Sequence, residues 1–506
     1  MNNRRKKTAL WWIAFAVMVI STLLLIFSEY LNKNGTSIDV FIFTLTAGTD
    51  GTDPRVIWDG FTWIFPRLML QTGVMTLIIG FSHLMLFRMK VTLSILRKRV
   101  NKVTVLSLNR ALLALLLVAQ LVLYPLGSAW VIDKCFRVST YLKTRRQVTQ
   151  IYETSFNDPA EASVQSPDEK KNLIFIWVES LETTYTDAEN SGFQEVNYIP
   201  RLTALARENT CFTGVSNNLS GLRSIKFAQY TFGAMFSALS GAPYAYTANK
   251  NTVSSSVIAP NEPFLFDFLR KDGYYSEYLM GSDSHFAGTD TLLLGHGIDR
   301  VLGMDGIIEE GYVPEDYFVH WGVEDSKLFA IAKDRITKVA ENGQPFAYML
   351  STMDTHYPVG YLCADCPSEY DSDTANIVAC TDRQVTDFVD WCRAQPFYEN
   401  TVIIVIGDHP RMDEYLVKGV SPMDRLVYNC ILNSAVTAEK TDGREFSMMD
   451  MLPTTLSAMG YKIEGDRLGF GTDMFSGRAT LTEEMGTEVF ETEISKRSDY
   501  FLTRYH

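Results

Sequence analysis

The sequence predicts an α/β fold, a mostly parallel sheet flanked by helices, preceded by an α-helical transmembrane region. Two patterns carry that expectation. The first is three long apolar stretches within the first 131 residues, each about long enough to cross ~30 Å of hydrocarbon at 1.5 Å per residue. The second is an alternation of strand-like and helical runs beyond residue 171, the pattern of a parallel sheet covered on both faces. At 506 residues the chain also exceeds one ordinary core, so two or three units are expected.

The apolar stretches cover about residues 10–27, 68–87 and 111–131. Arg4, Arg5, Lys6 and Lys7 precede the first, and seven cations between Arg88 and Arg110 separate the second from the third. Such cations stay cytoplasmic, so three crossings leave everything after Val131 outside. The expectation is a multi-pass protein of the inner or plasma membrane whose larger domain is extracytoplasmic. Lys134, Arg137, Lys143, Arg145 and Arg146 follow the third stretch and read as a basic amphipathic helix on the outer leaflet. ETSFNDPAEASVQSPDEKK then reads as a linker. The expected division is a membrane region over 1–132, basic helix and linker over 133–170, an α/β domain over 171–480 and a tail over 481–506.

Charge divides the chain in the same place. Residues 1–168 hold 19 Lys/Arg against 10 Asp/Glu, whereas the remainder holds 27 against 49. A domain that acidic is a poor nucleic-acid binder, which excludes that class of partner. Three of the seven cysteines, Cys363, Cys366 and Cys380, cluster in YLCADCPSEYDSDTANIVAC. Outside the cell a disulfide among them is the expectation, and no second CxxC exists to complete a zinc site.

Taken in order, the α/β elements begin with NLIFIWVES as a strand and NYIPRLTALAREN as a helix. GYYSEYLMGSD is a strand, DSKLFAIAKDRITKVAEN a helix and PFAYMLSTMDTHYP a strand. TDRQVTDFVDWCRAQ and TVIIVIGDHP close the series as helix and strand. The strand ends share one property. They finish on Glu179-Ser180, on Gly281-Ser282-Asp283 with His285 behind, on Asp354-Thr355-His356 and on Asp408-His409. In a parallel sheet those ends lie at one rim, where ligands bind, so acids and imidazoles delivered there by four strands point to a site.

A nucleophile candidate lies between the first two of these strands. In AQYTFGAMFSALSGAP, Thr231 precedes a helix whose apolar positions Phe232, Met235, Phe236 and Leu239 keep helical spacing, and Gly241-Ala242-Pro243 ends it. A hydroxyl there either caps the helix or faces a phosphate oxyanion at the positive end of the dipole. Beside a metal it becomes a nucleophile.

NLIFIWVESLETTYT, AQYTFGAMFSALSGAP, MDTHYP and VIIVIGDH, in that order, resemble the membrane-bound phosphoglycerol transferases. That family includes the lipoteichoic acid synthases and lies within the alkaline phosphatase and sulfatase superfamily. GSDSHFAGTDTLLLGHGID and HWGVEDSKLF are most similar to the branch that decorates periplasmic glucans. The resemblance implies an alkaline phosphatase/sulfatase-like fold and one divalent metal, manganese first, with magnesium or zinc as alternatives. Glu179, Thr231, Asp408 and His409 would hold it, with Thr231 catalytic and His356 contacting the substrate phosphate. FAGTD departs from the lipoteichoic acid synthases, which place Trp and Arg in that stretch, so His285 is the remaining candidate there. The resemblance further implies a Cys366–Cys380 disulfide, phosphatidylglycerol as donor, and a glycan or polyglycerol phosphate hydroxyl as acceptor. Phosphoethanolamine transferase and phosphodiesterase are the alternatives. A sulfatase would need Cys/Ser-x-Pro-x-Arg, which is not in the sequence.

Overall fold

The computed structural model describes residues 3–33, 37–47, 54–96, 112, 115, 118–214, 219–245, 258–357, 359–413 and 415–500. They form two compact units, one of residues 1–38 and 54–142, the other of 39–53 and 143–506.

The first unit is helical. Helix α1 (Asn3–Lys33) contains the first expected span, and α3 (Pro54–Leu96) contains the second and runs further on both sides. Trp12, Leu24, Trp58, Leu70, Leu77 and Trp130 stand exposed, an apolar surface suited to lipid rather than to water. Within it, Thr22 Oγ1 lies 2.9 Å from the Tyr124 hydroxyl. Among the described residues one helix segment, Trp12–Lys33, is long and apolar enough to cross a membrane. Most of the third expected span is described and helical from residue 118 on, whereas residues 111, 113, 114, 116 and 117 and the cations from Arg97 to Arg110 lie outside the described residues.

Two expectations for the following segment are corrected. The basic stretch is not one helix: α4 (Tyr124–Phe136) stops at Arg137, whose φ of 51° is left-handed, and α5 (Val138–Arg145) starts afresh. Asp133 fastens the break by accepting hydrogen bonds from the Ser139 backbone N–H and hydroxyl. The polar stretch after it is also no free linker. Phe156, Ala162 and Val164 pack against the core, and Val164–Gln165 pairs antiparallel with Lys462–Ile463, so its polar composition conceals a few anchoring apolar residues. The C-terminal stretch likewise buries Leu481, Phe490 and Ile494.

The second unit is built on a six-stranded sheet. Its strands are β1 (Asn172–Val178), β2 (Tyr275–Met280), β3 (Arg300–Leu302), β4 (Phe346–Ser351), β5 (Thr401–Gly407) and β6 (Asn429–Leu432), in the order β3-β2-β4-β1-β5-β6. All neighbours are parallel except β5 and β6. β1 and β5 are fully buried from end to end, as their unbroken aliphatic runs require. Side chains alternate between two cores. Leu173, Phe175 and Trp177 face one layer with α6 (Thr231–Ser240), while Ile174, Ile176 and Val178 face the other with α7 (Asp325–Glu341) and α8 (Asp373–Arg393). Each such side chain contributes about 1.5–3 kcal/mol by leaving water, so the register of the central strands is strongly fixed. That register delivers the ends of β2, β4, β1 and β5 to one rim.

Candidate active site

At the rim, three ligand-type side chains meet. One ligand atom each from Glu179, Asp408 and His409 lies within 4.8 Å of the others, and all three residues are buried. Glu179 follows β1, and its backbone is held by the segment that follows β4: its N–H donates to Thr352 Oγ1 at 3.0 Å and its carbonyl accepts from Thr355 Oγ1 at 2.5 Å. Ser180 then adopts a left-handed φ of 54°, a costly conformation for a residue with a Cβ, and it aims its N–H at Asp408 Oδ1, 2.8 Å away. Asp408 follows Gly407, where a Cβ would come within 2.1 Å of the Leu181 carbonyl oxygen. Only a glycine lets β5 approach so closely.

The donor set suits a cation. Asp408 Oδ1 accepts from the Ser180 and His409 N–H groups, but Oδ2 is buried without a hydrogen-bond partner. His409 Nδ1 donates to the Pro410 carbonyl at 2.9 Å, which leaves Nε2 as a lone pair facing Asp408 Oδ2 at 3.3 Å and Glu179 Oε1 at 3.8 Å. Burial, with the Glu179 charge behind it, pushes the Asp408 carboxyl up to about 7. A buried orphan oxygen beside a second carboxylate and an imidazole lone pair fits one divalent ion of the manganese, magnesium or zinc type.

Thr231 opens α6 at this cluster. The N-cap is Tyr230, one residue earlier than expected, and no side-chain cap is made. Thr231 Oγ1 instead sits 3.4 Å from Glu179 Oε2 and 3.3 Å from His409 Nε2. The capping alternative is therefore not the role its hydroxyl takes. Residues Phe232 to Ser240 are all buried, so the helix has little freedom to swing away.

His356 is half-buried, with Nδ1 on the Tyr357 carbonyl at 2.7 Å and its ring 4.4 Å from Trp321. Burial holds its pKa down at about 4, against the hydrogen bond to the Tyr357 carbonyl, which pulls it the other way. It is a neutral imidazole with Nε2 as acceptor. His285 is different: its side chain is exposed, 3.1 Å from Asp283 and 3.5 Å from Asp290, and it groups with Asp283 and Asp305 rather than with the buried residues.

Sequence reasoning missed Arg411. Its guanidinium is buried, with Nε on Asp413, one amino group on the Thr355 carbonyl and the other on the Val359 carbonyl. It thereby ties the loop after β5 to the loop carrying His356. Arg425 is engaged likewise by Glu182 and the Arg411 carbonyl. A lone Arg in a loop gives no periodic signal, so sequence alone offered little to find it. Cys366 and Cys380 form a disulfide, and Cys363 stays a thiol 3.0 Å from the Cys366 sulfur.

A family model described as Sulfatase matches residues 171–461. Phosphoglycerol transferase I of Shigella flexneri is 28% identical over 351 residues, 66% of this chain and 44% of that protein, and its counterpart in Escherichia coli strain K12 matches to the same extent. The chain thus spans less than half the length of those relatives. Among solved structures, the lipoteichoic acid synthase LtaP from Listeria monocytogenes aligns with a TM-score of 0.47 and 20% identity, covering 62% of this chain and 79% of that one. A protein of the alkaline phosphatase superfamily from Vibrio parahaemolyticus gives 0.47 and 19%, covering 64% and 75%.

Proposed function

We propose that this chain, which belongs to the sulfatase family, is a membrane-anchored phosphotransferase. It moves glycerol phosphate from phosphatidylglycerol to a hydroxyl of an extracytoplasmic glycan or polyglycerol phosphate, through a phospho-Thr231 intermediate. The observation that carries this is the Thr231 hydroxyl, freed from capping and set between the Glu179 carboxylate and the His409 lone pair. The names of the curated relatives support the glycerol phosphate.

In the first half-reaction Thr231 Oγ1 bonds to phosphorus, the bond from phosphorus to the diacylglycerol oxygen breaks, and diacylglycerol leaves. In the second, the acceptor hydroxyl bonds to phosphorus and Thr231 leaves. The Thr231 proton has two acceptors in reach, Glu179 Oε2 and His409 Nε2. A divalent ion held by Glu179, Asp408, His409 and Thr231 would supply Lewis acidity and charge neutralisation there. His356 is neutral until an anionic phosphate arrives; that charge would favour its protonated form, which then has Nε2–H to donate.

A parity argument supports an odd number of crossings before the sheet, a condition that three crossings and a single one both meet. Residues 39–47 group with the sheet in one compact unit, which favours their lying on its side of the membrane. Between residues 47 and 143 the chain must then cross an even number of times, which the second and third expected spans satisfy.

The test is full-length protein with manganese and fluorescent phosphatidylglycerol or phosphatidylethanolamine in separate vesicles. Labelled diacylglycerol should appear from phosphatidylglycerol, with a phosphorylated Thr231 peptide after quenching. Release solely from phosphatidylethanolamine would move the assignment to phosphoethanolamine transfer, and release without transfer to any hydroxyl would make the protein a phosphodiesterase.

A further inference from the structure

The short helix α2 (Ile38–Ala47) falls between the first two expected spans, yet from Asp39 onward it belongs to the compact unit of the sheet. Its contacts fall on the residues that flank the nucleophile candidate. The Phe43 ring lies 4.6 Å from that of Tyr230, 5.4 Å from that of Phe232 and 5.8 Å from that of Tyr244. Tyr230 precedes Thr231 and Phe232 follows it, so one ring packs on both neighbours of the reactive hydroxyl. Val40, one helical turn earlier, is buried in the same core. At the start of α2, the Asp39 carboxyl is pushed up by burial and drawn back by the Lys226 and Arg145 cations, both from the unit that carries Thr231. Lys226 is itself held through its N–H by Glu491 at 2.9 Å, and Arg145 by the Ala245 carbonyl at 3.2 Å.

We infer that α2 is a strap, supplied by the chain between two membrane spans, and that Phe43 is a positioning residue that fixes Thr231 by packing on Tyr230 and Phe232. The inference rests on Thr231 as nucleophile for its catalytic consequence, but not for its structural one. Tyr230 and Phe232 point their rings to a common neighbour, and removing that neighbour leaves the first turn of α6 short of packing on the side that the strap covers. The hydroxyl between them then samples positions beyond reach of Glu179 and His409, and misplacement by about 1 Å costs on the order of 100-fold in rate. A catalytic unit severed from the chain before residue 133 would lack this strap.

The experiment is hydrogen exchange and turnover on the full chain in vesicles, comparing wild type with Phe43→Ala and the conservative Phe43→Leu. Phe43→Ala should speed exchange of the α6 amides from Ala234 onward about tenfold while β1 and β5 keep wild-type protection. With phosphatidylglycerol its kcat should fall at least tenfold at unchanged KM, and Phe43→Leu should recover to within threefold on both readouts. Unchanged exchange in α6 would overturn the strap, as would acceleration spread equally over β1 and β5, or an unchanged kcat with α6 loosened. Should wild type fail to use phosphatidylglycerol, the exchange data still decide for or against the strap, which separates its failure from that of the proposed reaction.

Discussion

Two clusters at the same sheet rim hold two acids and a histidine each, and they differ in what surrounds them. Glu179, Asp408 and His409 are buried, with one carboxylate oxygen lacking a hydrogen-bond partner and an imidazole lone pair turned inward. Asp283, His285 and Asp305 are half-buried or exposed, and there the imidazole already pairs with Asp283 and Asp290. Residue type alone makes the clusters equivalent. Desolvation separates them, because a buried carboxylate without a partner costs several kcal/mol unless a cation or a proton joins it, while an exposed one is satisfied by water.

The largest expected effect is on chemistry at the buried cluster. Thr231→Ala should abolish transfer, by three orders of magnitude or more, in a protein that melts within a few degrees of wild type, since its hydroxyl caps nothing. Turnover by the variant at the wild-type rate in the vesicle assay would remove Thr231 from the mechanism. Next, Asp408→Asn should weaken manganese binding at least 100-fold by titration calorimetry. The matching Asp305→Asn should change it less than twofold, and equal losses would erase the contrast between the clusters.

A smaller effect concerns stability. Asp325 and Asp354 form a buried acidic pair next to the His356 loop: Asp325 accepts from the Met353 and Asp354 N–H groups and Asp354 accepts from the Asp325 N–H. Burial, with the Glu179 and Glu324 charges, raises Asp325 to about 7, and burial with the Asp325 charge raises Asp354 to about 9, from 3.8. A raised carboxyl favours the folded state while protonated, so that stability is fully present below about pH 4 and is lost as pH rises toward 9. Asp354→Asn keeps the acceptor oxygen and removes the titration. Its melting temperature should match wild type near pH 4 and exceed it increasingly toward pH 8; parallel melting curves across that range would refute the pair. The smallest effect is His285→Ala, expected to alter phosphatidylglycerol turnover less than threefold, whereas a tenfold rise in KM would bring the exposed cluster into the donor site.

How far the sequence reveals this follows from the same contrast. Unbroken aliphatic runs such as TVIIVIG have one physical solution, a strand buried on both faces, and β1, β2, β4 and β5 form where their patterns indicate. The helix at Thr231 and the acids at the strand ends followed from that geometry. Arg300–Leu302 and Asn429–Leu432 are strands of three and four residues, too short for periodicity to distinguish. The left-handed turn at Ser180 carries no glycine to announce it. The packing of α2 against residues nearly two hundred positions later, and the buried fork of Arg411, are tertiary facts without a local pattern. His285 shows the converse limit, for proximity to a strand end does not say whether a side chain turns inward.

The engagement of Arg411 and Arg425 has a kinetic consequence. Both guanidiniums donate to protein acceptors, Arg411 to Asp413 and two carbonyls, Arg425 to Glu182 and the Arg411 carbonyl. A phosphodiester that reaches the pocket before a cation does therefore meets the carboxylates of Glu179 and Asp408 with neither arginine available to greet it. With the anionic donor proposed above, encounter would be repulsive until the cation has arrived, so the two should add in compulsory order. Raising the manganese concentration should then increase the apparent association rate of the lipid, and not only the rate of the step that follows.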